Sequence, residues 1–138
     1  MASILKVDEM QGVTSAGDIT ITDGTATMKM QSGIAKVWGS VQGSNAAFND
    51  SFNCSSLADN GTGDGTPSFT NSMANTNYAH NLGHRPGSLT SGSSNQRNMH
   101  IETIATGSIN IINSYTTTGG ALIFYDVNHT FSIDGDLA

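Results

Sequence analysis

The sequence predicts an all-β chain: a small β-sandwich or jelly-roll-like domain of about eight short strands, preceded by an N-terminal arm and hairpin. Three observations lead there. Gly, Ser, Thr and Asn together supply 62 of the 138 residues, which favours turns and strands over helices. Apolar and polar residues alternate with a period of two in several segments. Glycine-marked turns recur every eight to twelve residues, the spacing of a sandwich or small barrel. Only 12% of residues are charged and 36% are hydrophobic. The strong helix formers Leu, Glu, Lys and Arg are scarce, so a helical bundle is excluded. Disorder through charge is excluded as well, because the chain is rich in Ile and Thr with aromatics spread along it.

The elements follow in order. Residues 1–12 hold the apolar cluster Ile4, Leu5, Val7 and Met10. This is either a first strand or a short amphipathic arm that docks on a larger assembly, and these four residues are the candidate attachment set. In GDITITDGTATMKM, Ile19, Ile21, Ala26, Met28 and Met30 alternate with Thr and Lys around Asp23-Gly24, which predicts a hairpin. Residues 1–30 are thus expected as arm and hairpin, and 31–138 as the sandwich. IAKVWGSV reads as a strand with Val37 and Gly39 on one face and Trp38 and Ser40 on the other. Trp38 is expected as a core or interface anchor. AFNDSFNCSSL reads as a strand whose Phe52 and Cys54 face inward, Cys54 acting as a small buried hydrophobe.

ADNGTGDGTPSFT reads as a long hairpin loop, with Asp59, Asn60 and Asp64 as candidate Ca²⁺ oxygens. The spacing of a calcium-binding loop is missing, so no metal is expected there. Strands are expected around Phe69 and around Tyr78 and Leu82, then a long loop over residues 83–98. MHIETIATG, SINIINSYT and GALIFYDVNHTFSIDG close the chain as strands. Turns are expected at Gly107 and Gly119-Gly120, and ALIFYDV reads as buried on both sides.

Charge and motif chemistry exclude several classes. The formal net charge is −6, and the five cations Lys6, Lys29, Lys36, Arg85 and Arg97 are scattered, which opposes binding to nucleic acid or an anionic membrane. One cysteine excludes an intramolecular disulfide framework, and no apolar run is long enough to span a bilayer. Lys6 and Asp8-Glu9 interrupt any signal-peptide core, so cytoplasmic synthesis is expected. His80 and His84 stand four apart, but the intervening Asn-Leu-Gly opposes a helix that would give them one face. His100 and His129 fall on expected strands, so no zinc site and no cofactor are expected. There is no Gly-x-Ser-x-Gly elbow and no phosphate-binding loop. The carboxylates Asp50, Glu102, Asp126 and Asp134 alone do not make a glycosidase. A non-enzymatic protein is expected.

The opening MASILKVD (1–8), the stretch SFNCSSLADNGTGDGTPSFTNSMANTNYA (51–79) and the terminal GDLA (135–138) resemble structural proteins of marine tailed bacteriophages. The middle block is similar to a β-rich module of their tail-fibre-like proteins. This resemblance implies a virion component on the particle surface, assembled in the bacterial cytoplasm. It also implies a homotrimer, with other phage tail or major capsid proteins and a host-surface glycan or protein as partners. Residues 83–98 depart from the pattern, and the chain is short for a fibre with a shaft. Tyr78, His84, Arg85 and Arg97 are the candidate receptor contacts, since Tyr and Arg recur at binding hot spots. The alternatives are a capsid decoration protein, a glycan-acting enzyme and a cellular carbohydrate-binding module.

Overall fold

The computed structural model describes residues 7–9, 19–23, 25–29, 34–43, 47–85 and 96–138. The chain divides into two compact units, residues 1–34 and 35–138. Eleven strands are present among the described residues, with no helix.

In the first unit, β1 (Thr20–Asp23) and β2 (Ala26–Lys29) form the hairpin that Asp23-Gly24 predicts. Pairing of Ile21 with Met28 and Thr22 with Thr27 preserves the expected alternation. Of the attachment candidates, Val7 is exposed; Ile4, Leu5 and Met10 lie outside the described residues.

The second unit is built from two antiparallel sheets. One contains, in spatial order, β4 (Phe48–Phe52), β3 (Val37–Val41), β11 (His129–Asp134) and β7 (Ala79–His84). The other has β9 (Ile109–Thr116) at its centre. β8 (Gln96–Ile104) pairs along one edge of β9. The opposite edge is shared: β6 (Asp64–Phe69) pairs near Ile111 and Ile112, and β10 (Leu122–Phe124) pairs from Ser114 to Thr116. β5 (Cys54–Gly61) pairs with β6 beyond.

Period-two alternation supplies the core. Val37 and Val41 of β3, Phe131 and Ile133 of β11, Phe69 of β6, and Ile109 and Ile111 of β9 cluster with Met73 and Tyr78. Gly39 fills the inward position between the two valines because the Phe131 ring lies against it. A Cβ there would sit 2.6 Å from Phe131 Cε1 and 3.1 Å from Phe48 Cε1.

Four sequence expectations change. The stretch 47–57 is two strands in different sheets, because the chain turns at Asn53 with φ 57°; Phe52 consequently faces solvent while Cys54 packs against the core. Residues 57–69 form strands with a two-residue turn at Thr62-Gly63, so Asp59, Asn60 and Asp64 lie in strands and not in a long loop. The ends of the expected 83–98 loop belong to β7 and β8. Leu122, Ile123 and Phe124 are exposed; the strand with successive buried residues is β9, where Ile109 to Ser114 are all buried.

Candidate functional site

The outer face of the four-stranded sheet carries an exposed aromatic pair. Residues paired across antiparallel strands project to the same side, and Trp38 pairs with Phe52 on one flank and with Ser132 on the other. Asn81 completes that row from β7. Trp38 is 37% exposed and Phe52 55%, so the tryptophan is a surface residue and not a core anchor. The neighbouring row carries Asp50, Ser40 and Thr130. Arg85, just past the end of β7, leans over this row and donates from Nη1 to Ser40 Oγ at 2.7 Å. Asn49 Nδ2 donates to the same oxygen at 3.3 Å. A shallow depression of about 370 Å³ runs between Trp38, Asn81, Thr130 and Ser132. The surface thus combines aromatic rings with hydroxyl and amide groups able to donate and accept.

A second depression, about 540 Å³, opens on the outer face of the five-stranded sheet. It forms where β6 begins and β10 ends on the shared edge of β9. Backbone bonds close this seam: Asn113 N donates to Gly63 O at 2.7 Å, and Tyr125 N to Asn113 O at 3.2 Å. Gly63 has φ 73°, and a Cβ there would collide with the Asn113 carbonyl oxygen. Only glycine brings the turn this close. His100, Ile112 and Asp64 form one row across β8, β9 and β6. Asp64 is held by donors: Asn110 Nδ2 and Asn60 Nδ2 (2.9 Å) both reach its Oδ1, and both amides also reach Thr66 Oγ1.

The four candidate contacts do not converge. Tyr78 is buried, 8% exposed, and its hydroxyl donates to Ala105 O at 2.8 Å; it packs the core and presents nothing to a partner. Arg85 belongs to the four-stranded face. His84 and Arg97 meet around Tyr125, whose hydroxyl lies 3.4 Å from His84 Nε2 and whose ring lies 5.8 Å from the Arg97 guanidinium carbon. Tyr115 packs edge-on against Tyr125, with centroids 5.4 Å apart. Burial, and then the Arg97 charge, hold His84 below the ordinary histidine value. Among the described residues no group of three or more His, Cys, Asp and Glu side chains could hold a metal ion.

Sequence reasoning missed the outward roles of Trp38 and Phe52 and the placing of Asp64 and His100 on either side of Ile112. In the first case the signal was present, because Trp38 falls in the polar phase of its strand. The second depends on which strands flank β9, which no local pattern encodes. No helix among the described residues is long and apolar enough to cross a membrane. No family model, curated protein or solved structure matches the chain.

Proposed function

We propose that the chain is a non-enzymatic structural module on the surface of a tailed-phage virion. In this reading it contacts a host-surface glycan or protein through the outer face of the four-stranded sheet. The observation that carries the reading is the exposed Trp38–Phe52 pair, set beside Arg85 and the hydroxyls of Ser40, Thr130 and Ser132. Exposed aromatics beside a cation on a rigid sheet are what a recognition surface needs, since little conformational freedom is lost on contact. Assembly as a homotrimer, joined to other virion proteins through the N-terminal arm, completes the proposal; the exposed Val7 supports it.

The test is binding of the labelled full chain to host cells, with adsorption of the phage in competition. The protein is expected to compete. Trp38→Ala and Phe52→Ala are each expected to weaken cell binding by about tenfold or more. Absence of competition by the unaltered protein would reject the receptor role, and turnover of host polysaccharide would reject the non-enzymatic one.

A capsid decoration role is the second reading. It is favoured by β10, a short edge strand with Leu122, Ile123 and Phe124 all exposed, the kind of surface a neighbouring subunit covers. Copy number separates the two: hundreds of density features on the head would assign decoration, and density confined to the tail would assign the receptor role.

A further inference from the structure

We propose that the depression on the outer face of the five-stranded sheet binds a single hexopyranose, neutral or amino-bearing. This site is separate from the Trp38 surface. Its volume, about 540 Å³, lies in the range of small-ligand pockets. Its lining divides by chemistry. Leu122 and Phe124 of β10 form an apolar wall, 52% and 49% exposed. Asp64 and Asn60 continue the same side of the Ile112 floor, and His100 and Glu102 of β8 stand across it. Adjacent strands lie about 4.8 Å apart, so the His100 and Asp64 backbones are about 10 Å apart across Ile112. That span admits one sugar ring with hydroxyls directed to both sides.

The amphipathic lining matches an amphipathic ligand. A pyranose has an apolar C–H face that packs on an aromatic ring, and an equatorial rim of hydroxyls that donate and accept. Asp64 is preorganised for the rim. Its Oδ1 is occupied by the Asn60 and Asn110 amides, and among the described residues its Oδ2 has no partner. Asn110, 7% exposed and outside the lining itself, holds Asp64 in place through its side-chain amide. Two carboxylates in the lining and no Lys or Arg set the charge preference: a protonated amine is attracted, and a uronate is repelled.

The experiment is titration of the isotope-labelled full chain with D-glucosamine, D-glucose and D-glucuronate, followed through the backbone amide resonances. Saturable shifts are expected at Thr62, His100, Glu102 and Phe124, with glucosamine tightest and glucuronate weaker than glucosamine by about tenfold or more. Phe124→Ala is expected to weaken glucosamine and glucose alike by about tenfold. Glu102→Gln is expected to erase most of the preference for glucosamine over glucose. Both positions are exposed, and an unchanged amide spectrum elsewhere confirms the fold. Trp38→Ala is expected to leave all three titrations unchanged, which separates failure of this site from failure of the receptor surface. The proposal is overturned if no sugar saturates, or if the shifts map to another face. It is equally overturned if both pocket variants bind as the parent does, or if sedimentation shows that Phe124→Ala dissociates an oligomer, since a second copy would then cover this face.

Discussion

Cys54 shows how placement alters a side chain that the sequence presents as ordinary. It begins β5, half-buried against the core, with Sγ 3.5 Å from Trp38 O and 3.6 Å from Phe52 O. Burial pushes its thiol up to about 11 from the ordinary 9.0, against a smaller opposing effect from Ser51. Only the thiolate reacts, so the reactive fraction near neutral pH falls by about a hundredfold. Alkylation by iodoacetamide at mildly alkaline pH is therefore expected to run about a hundredfold slower in the native chain than in urea-unfolded chain. Equal rates would show that Cys54 is not held in this environment. Trp38 makes the complementary point: the lone tryptophan of a small domain, suited by size to its core, stands at the surface instead.

The passage from β4 to β5 is the element on which the sandwich turns. One residue, Asn53, carries the chain from one sheet to the other in the left-handed region. Its side chain binds the opposite crossing. Oδ1 accepts from Asn71 N at 2.8 Å, and Nδ2 donates to Lys36 O and Asn71 O, each at 3.1 Å. Asn tolerates this backbone better than Ala, and Gly tolerates it freely. Asn53→Ala is expected to lower unfolding stability by about 2–3 kcal/mol in urea titration, from strain plus lost hydrogen bonds. Asn53→Gly is expected to lower it by about 1 kcal/mol less, because it removes the bonds without the strain. Equal losses would assign the whole effect to the side-chain bonds. A contrast of the same kind separates β9 from β10: the continuous apolar run Leu122–Phe124 is exposed, while the more polar β9 is buried from Ile109 to Ser114.

At the scale of the whole molecule, acid sensitivity is expected to follow from a buried histidine, His129, and the half-buried His84 beside it. His129 is 1% exposed on the inward face of β11, and its Nδ1 lies 2.9 Å from Val127 O. His84 is its partner across the β7–β11 pairing. Burial holds both below the ordinary value of 6.5; the Arg97 charge adds to this at His84, and the His84 charge adds to it at His129, where the Val127 carbonyl opposes the shift. A histidine with a lowered folded value binds its proton more weakly folded than unfolded. Stability is then full above pH 6.5 and declines as pH falls below it toward the folded value. The midpoint of thermal unfolding is expected to drop between pH 7 and pH 5, and His129→Gln to flatten that slope even if it lowers the midpoint throughout. A midpoint that is flat over this range in the parent would contradict the burial of His129.

Much of the strand pattern was legible in the residues. Asp23-Gly24 between alternating runs marks the β1–β2 hairpin, and Ile109 and Ile111 mark an inward face, because turn chemistry and period-two burial are local properties. The candidate contacts were less legible. Tyr78, His84, Arg85 and Arg97 share a side-chain chemistry, but they divide among a core, an aromatic cluster and a sheet face. Sequence by itself determined the all-β class, the absence of a disulfide framework and the low charge of the surface. Tertiary structure alone decided that the stretch 47–57 breaks at Asn53 and that Trp38 faces solvent beside Phe52. It alone set Asp64 and His100 on either side of one floor. The physical reason is that a strand's neighbours are chosen by long-range pairing. Which face of a strand is buried, and which side chains from distant strands meet, follows from that pairing and from no window of the sequence.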